Sequence, residues 1–144
     1  MHEIRIGVGT AEFLSLKLHG RQFPDATDYW YANWLTCDIQ VAAGVFRGEF
    51  GMVIRNEDIG HFLIQLRPVY EKLSGSATLE GKEDWLCLDI VGDGRSDMKV
   101  EGRLCDNCNT LEFHLALDQT DLPAIIQRLE EICESYPIIG DPTA

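Results

Sequence analysis

Two cysteines, Cys105 and Cys108, have the spacing that most resembles a chemical site. A C-x2-C pair is half of a structural zinc site, but the sequence has no second C-x2-C pair and no H-x3–5-H pair to complete it. Redox C-x2-C pairs sit at helix N-termini, where the thiol pKa is lowered, whereas this pair lies between two strand-like segments. Metal binding and redox chemistry stay open as alternatives, and the sequence favours incidental turn cysteines with no metal and no cofactor.

The remaining candidates for chemistry form no recognised catalytic constellation. The four histidines have no metal-ligand spacing to one another, and neither H-E-x-x-H nor G-x-S-x-G occurs. Gly7-Val8-Gly9 leads into strand-like sequence, so it provides no phosphate cradle at a helix start. We therefore predict a protein without catalytic residues, and a small enzyme that uses paired carboxylates is the alternative.

The charge balance is the main clue to partners. Twelve basic and 24 acidic residues give a net charge of -12. Nucleic-acid and anionic-membrane partners require a basic footprint, so we expect neither. The longest uncharged run has nine residues, Tyr29 to Cys37, far short of the roughly 20 that span a membrane. Two interpretations of the acidity stay open, namely solubility and attraction to a basic protein partner.

The cellular setting follows from the cysteines and the N-terminal sequence. Five cysteines, an odd number, and an N-terminus without an apolar secretory core predict reduced thiols in the cytoplasm.

Acidic residues on predicted hairpin turns are the candidate contacts for a basic partner, because turn side chains are exposed. Those on turns are Glu80, Glu83, Asp84, Asp93 and Asp97. Two more, Asp25 and Asp28, lie beside an aromatic segment. We predict these seven as binding residues.

Alternation of apolar and polar residues predicts an antiparallel sheet with one buried face. About seven to eight strands are expected, at 3–8, 12–19, 34–42, 45–54, 76–81, 85–91, 96–104 and 110–117. Together with two amphipathic helices, they predict a single α+β domain over residues 1–144.

The two helices are predicted near 57–73 and 120–135, where apolar residues recur with helical spacing. Asn56 and Thr120 are the expected N-caps. Ser74-Gly75 should end the first helix, and Pro68 should kink it. Cys37 and Cys133 fall on apolar stripes and are expected in the core.

The pattern of two strands and a helix recurs after 63 residues. At this offset Phe50, Met52 and Ile54 match Phe113, Leu115 and Leu117. An internal β-β-α duplication and the general likeness of amphipathic elements both explain this match.

The segment from Asp28 to Leu35 is unusually aromatic. Its aromatic residues are Tyr29, Trp30, Tyr31 and Trp34. In a structural interpretation, Trp30 and Trp34 cover one end of the core, and Asn33 or Asp28 bonds to turn backbone. In a functional interpretation, the aromatic side chains are interface anchors.

At this segment the chain resembles the WapI-type bacterial immunity proteins. The likeness begins at Asp28-x-Trp30-x-x-Asn33-Trp34-Leu35 and continues through Leu73–Ala77, Gly94–Gly102 and Leu111–Leu122 to the last helix. It covers about residues 10–136. The resemblance implies a small cytosolic protein that neutralises the C-terminal domain of a contact-delivered toxin. It supplies no catalytic residues, and the Cys105–Cys108 turn is not part of it.

The resemblance and the charge together predict an immunity-like protein that binds and occludes a basic toxin domain. A small carboxylate-using enzyme and an uncharacterised housekeeping binding domain are the alternatives. The sequence leaves the oligomeric state open.

Overall fold

Eight antiparallel strands in two sheets form the framework of the computed structural model, which describes residues 2–7 and 9–143. The first sheet has the order β1 (His2–Ile6), β2 (Glu12–Arg21), β3 (Trp34–Ala43) and β4 (Phe46–Arg55). The second has the order β5 (Ser74–Glu80), β6 (Leu86–Asp93), β7 (Asp97–Asp106) and β8 (Asn109–Asp118). The α+β prediction is confirmed, and each predicted strand overlaps an observed one. Val8, at the end of the first predicted strand, lies outside the described residues.

Both predicted helices are present, and a third short one joins them. These are α1 (Tyr29–Ala32), α2 (Asn56–Lys72) and α3 (Leu122–Ser135), with a 3-10 turn at Gln119–Asp121 before α3. Their apolar stripes pack on the sheets because burial of that face stabilises an amphipathic helix. No helix among the described residues is long and apolar enough to cross a membrane.

The helix ends differ from those predicted from the sequence. Arg55, not Asn56, is the N-cap of α2, and its backbone N–H donates to Asp58 Oδ2 at 3.3 Å. Before α3, Asp118 takes the role predicted for Thr120: its carboxylate accepts from the Thr120 N–H at 3.0 Å. The end predicted at Ser74-Gly75 falls at Leu73, in left-handed backbone with φ 58°. The kink at Pro68 stays a prediction.

The repeat seen in the sequence is also a structural repeat. β3 and β7 begin 63 residues apart, and so do β4 and β8. The two hairpins also share a register, since Trp34 pairs with Arg55 as Asp97 pairs with Asp118. Each half of the chain is four strands followed by a long helix. Each long helix packs on a strand of the other half of the chain: α2 packs on β5 of the second half, and α3 packs on β1 of the first.

Buried side chains from both sheets, α2 and α3 form one hydrophobic cluster. Cys37 belongs to it, as predicted, and Cys133 packs against it while partly exposed. Burial, aided by the nearby Asp38 charge, raises the pKa of the Cys37 thiol to about 12, so this thiol is unreactive at neutral pH.

Candidate protein-binding surface

The seven predicted acidic residues are all exposed, but they lie at two ends of the molecule. Glu80, Glu83 and Asp84 surround the β5–β6 turn, whereas Asp93 and Asp97 flank the β6–β7 turn. In the antiparallel register Ser74 pairs with Asp93 and Glu80 pairs with Cys87, so these turns lie at opposite ends of β6. The structure therefore separates Asp93 and Asp97 from the other turn acids.

The β5–β6 turn meets the aromatic segment, which brings most of the acidic residues to one end. Lys82, in that turn, has its Nζ 5.7 Å from the ring centroid of Trp30 and 3.2 Å from a carboxylate oxygen of Glu57. Asp28 caps α1, since its carboxylate accepts from the Tyr31 N–H at 3.2 Å. Asp25 lies in the loop that precedes α1. Asp25, Asp28, Glu80, Glu83 and Asp84 thus lie around α1, and we call them the acidic rim.

Arg55 holds α1 against the sheet, although the sequence does not predict it as a site residue. Its side chain is 1% exposed, and its guanidinium donates to Tyr29 O at 2.9 Å and Trp30 O at 3.0 Å. It also lies over two rings, with Cζ 4.8 Å from the Tyr29 centroid and 5.0 Å from that of Trp34. A buried cation needs this many partners. The only sequence signal was an arginine closing an alternating strand directly before a helix.

Glu57 is the counter-ion of Arg55, and three groups stabilise its charge. Burial alone would raise its pKa, but hydrogen bonds from the Tyr29 hydroxyl, Arg55 and Lys82, together with the Arg55 charge, lower the pKa of Glu57 to about 2. The Arg55 Nε–Glu57 Oε1 distance is 2.7 Å. Glu57 therefore stays ionised and links α1, the start of α2 and the β5–β6 turn.

Two buried asparagines connect α1 to the C-terminal segment. The Asn33 side-chain amide donates to the carbonyls of Tyr29 and Ile139, both at 2.9 Å, and its Oδ1 accepts from the Ile139 N–H at 2.9 Å. The Asn56 side chain donates to Asn33 Oδ1 at 3.1 Å and to Tyr136 O at 3.0 Å. The prediction that Asn33 or Asp28 bonds to turn backbone is confirmed for both residues.

The aromatic segment divides into buried supports and an exposed patch. Trp34 is partly buried beneath Arg55, whereas Trp30 is 54% exposed. The expectation that Trp30 covers the core is therefore wrong: its backbone carbonyl is held by Arg55, and its ring points outward. Tyr31 is 60% exposed and stacks edge-on against Phe23, which is 42% exposed, at 5.7 Å. Phe23, Trp30 and Tyr31 form what we call the α1 patch.

An apolar groove of about 380 Å³ borders the same end of the molecule. It lies between the first half of α2 and the segment after α3, and Ile64 and Ile138 are its exposed apolar side chains. Glu57 also lines the groove. Because Glu57 bonds to Arg55 and to Tyr29 of α1, the groove lies next to α1. The α1 patch, the acidic rim and this groove are neighbouring surfaces.

Carboxylate, histidine and cysteine side chains of the described residues are the remaining candidates for catalysis or metal binding. Asp58 is the one buried carboxylate in residues 2–7 and 9–143, and it caps α2. Glu101, Glu112 and His114 line a shallow depression on the second sheet, and all three are exposed. No group of three His, Cys, Asp or Glu side chains in the described part of the chain is placed to hold a metal ion. Cys105 is the penultimate residue of β7 and is partly exposed, and Cys108 is exposed in the β7–β8 turn.

Several solved structures have a fold similar to this arrangement of two sheets and helices. Arabidopsis thaliana WHY1 is similar with a TM-score of 0.56 and 9% identity, over 96% of this chain and 86% of that one. The plant transcriptional regulator PBF-2 is similar with a TM-score of 0.53 and 12% identity, over 94% and 89%. Trypanosoma brucei MRP1/MRP2 is similar with a TM-score of 0.51 and 9% identity, over 92% of this chain and 83% of that one. At these identities the likeness establishes the fold alone.

The sequence places the chain more narrowly. A profile of the WapI-like immunity protein family matches residues 5–137, and the chain belongs to this family. The resemblance predicted from the aromatic segment is therefore confirmed. No curated protein matches the chain.

Proposed function

We propose that this chain is a non-catalytic bacterial immunity protein that acts in the cytoplasm by binding a basic toxin domain and occluding it. Membership of the WapI-like immunity family carries the proposal. The α1 patch and the acidic rim support it, because they combine exposed aromatic anchors with charge of one sign. Interfaces of this kind bind through aromatic residues and are steered by the surrounding charge.

The acidic rim supplies long-range attraction. With a net charge of -12, the chain attracts a basic surface before contact, and rim charges change the association rate more than the dissociation rate. Binding needs no chemistry, because a toxin that acts on nucleic acid is neutralised when its phosphate-binding surface is covered. The same charge disfavours a nucleic-acid partner for this chain, although its fold resembles that of a transcriptional regulator.

The division of the acidic residues refines the binding site. Asp25, Asp28, Glu80, Glu83 and Asp84 lie around the α1 patch, while Asp93 and Asp97 lie at the far end of β6. We place the interface at the first group. Asp93 and Asp97 contribute to the general negative field and make no contact with the partner.

A capture experiment followed by kinetics tests this function. The tagged chain is used to capture partners from a lysate of its source organism at about 0.05 and about 0.5 M salt, since screening shortens the Debye length well below about 10 Å. We expect a basic protein that elutes at high salt. Association is then measured for D25N/E83Q/D84N, with the double variant D93N/D97N, at the far end of β6, as the control.

The triple variant should slow association severalfold, and the control should change it much less. An association rate that ignores both salt and the triple variant would contradict the electrostatic mechanism. A captured partner that is acidic, or one that the chain binds without blocking its activity, would contradict the proposed function itself.

A further inference from the structure

The outer edge of β4 carries an exposed segment that the function above does not use. β4 is at the edge of the first sheet, and among the described residues it pairs with β3 alone. Residues 45–51 are exposed except for Phe50, which is half-buried, whereas the strand from Met52 onward is mostly buried. At the hairpin tip Val45 is 90% exposed and Phe46 is 62% exposed. A long edge strand with an apolar tip is a template for pairing with another strand.

The hydrogen-bond pattern shows which backbone groups of β4 point outward. Just beyond the end of β4, the Asn56 N–H donates to Asn33 O at 3.1 Å, so these opposite residues form a hydrogen-bonded pair. Along an antiparallel ladder every second pair is hydrogen-bonded. The register continues unbroken from Ile54, opposite Leu35, to Phe46, opposite Ala43, so the even-numbered residues of β4 are the ones that bond to β3. Arg47, Glu49 and Gly51 therefore direct their N–H and C=O groups to the free edge.

We propose that this edge pairs with the same edge of a second copy of the chain, antiparallel, around a two-fold axis at Gly48. Gly48 is the centre of the segment 45–51, so this register uses all of it. The axis places Arg47 opposite Glu49 of the second copy, and Glu49 opposite its Arg47. It also places Phe46 opposite Phe50. Two opposite-charge pairs and two aromatic pairs then flank the backbone ladder, and cross-strand pairs of both kinds are stabilising.

The charges of Arg47 and Glu49 complement those of a second β4 strand in this register, which favours a second copy of the chain as the partner. Arg47 keeps a hydrogen bond from Nη2 to Thr10 O at 3.3 Å, and its five N–H donors allow a second partner. Two molecules of net charge -12 repel each other, so opposite charges that meet locally are the electrostatic feature that favours this contact.

The second half of the chain provides an internal comparison. β8 is the equivalent edge strand with the same register, and Thr110, Leu111 and Glu112 stand where β4 has Arg47, Gly48 and Glu49. The same pairing across β8 would place Glu112 opposite Thr110, and the exposed tip residue would be Asn109 in place of Phe46. The self-complementary pattern belongs to β4.

Charge reversal with rescue tests the pairing. The full chain is examined by sedimentation equilibrium from about 5 to about 500 µM at about 0.15 M salt, because dimer stability depends on concentration. We expect a concentration-dependent dimer. R47E and E49R should each weaken it by about tenfold or more, since each places like charges in both symmetric pairs. The double variant R47E/E49R should restore it.

The two single variants separate local pairing from general repulsion. R47E makes the chain more acidic and E49R makes it less acidic, so net charge alone predicts that E49R strengthens the dimer. E49P removes an outward N–H and should abolish dimerisation, whereas E112P, the matched change on β8, should not. A monomer throughout the range, a dimer strengthened by E49R, or a double variant that stays weak would each overturn the proposal. Circular dichroism checks that each variant is folded, and the remaining variants decide if one is not.

Discussion

The guanidinium of Arg55 lies 5.0 Å from the ring centroid of Trp34 and 3.0 Å from the backbone oxygen of Trp30. The buried guanidinium at the end of β4 thus contacts the two tryptophans in different ways. It covers the ring of Trp34, whereas it donates a hydrogen bond to the backbone carbonyl of Trp30. The consequence is that one ring is partly buried and the other faces solvent. The exposed aromatic patch depends on a residue that is itself hidden.

Removing the Arg55 guanidinium should strongly destabilise the fold. Arg55→Met leaves the Tyr29 and Trp30 carbonyls without this donor and deprives Glu57 of its nearest cation, so we expect a loss of about 3–5 kcal/mol. Urea unfolding measures it. Arg128→Ala is the control, because Arg128 is 61% exposed and should change stability by about 0.5 kcal/mol or less. A loss below about 1 kcal/mol for Arg55→Met would show that the network contributes little.

Trp34 and Trp30 should respond differently to truncation. Full burial of a tryptophan would give a loss of about 3–5 kcal/mol on change to alanine. Because Trp34 is partly exposed, we expect about 2–4 kcal/mol for Trp34→Ala, and about 0.5 kcal/mol or less for Trp30→Ala. Thermal and urea unfolding of the two variants check this. Equal losses would mean that the Trp30 and Trp34 rings support the core to the same extent.

Glu57 should contribute stability at neutral pH that disappears in acid. Its folded pKa is lowered from 4.5 to about 2, so the ionised form is favoured by folding. The contribution is complete above the unfolded pKa and is lost as the pH falls from about 4.5 towards about 2. The free energy of unfolding is measured against pH for the native chain and Glu57→Gln.

The difference between these two curves should be largest near neutral pH and shrink through that window. Asp58, whose pKa is raised by burial and further by the Glu57 charge, acts in the opposite direction. The part of its effect that comes from burial is common to both proteins and cancels in the difference. A difference that stays constant down to pH 3 would contradict the lowered pKa.

The α1 patch should determine how long the captured partner stays bound. Trp30→Ala and Tyr31→Ala remove exposed aromatic anchors, and we expect each to raise the dissociation rate about tenfold with little effect on association. Val91→Ala is the control, because Val91 is 37% exposed and lies on β6, outside both the patch and the β4 edge. Surface plasmon resonance with the captured protein measures both rates. If the control matches the patch variants, the interface lies elsewhere.

Much of the fold could be predicted locally. All eight strands follow from alternation with period two, and both long helices follow from a stripe with helical spacing, because these periodicities record which face is buried. The helix caps were missed for a different reason. Asn56 and Thr120, the residues expected as caps, make other contacts in the folded chain. The Asn56 side chain donates to Asn33 and Tyr136, and the Thr120 N–H donates to the carboxylate of Asp118.

The sequence by itself determined the α+β class, the 63-residue repeat, the negative charge and the resemblance to an immunity family. All of these follow from local residue patterns, from the spacing of those patterns along the chain, or from composition. Only the tertiary structure decided which acidic residues share a surface and which aromatic rings are exposed. Glu83 and Asp28 are far apart in sequence, and Lys82, Glu57 and Arg55 bring their segments together. Such groupings depend on long-range contacts between strands and helices, which no local pattern encodes.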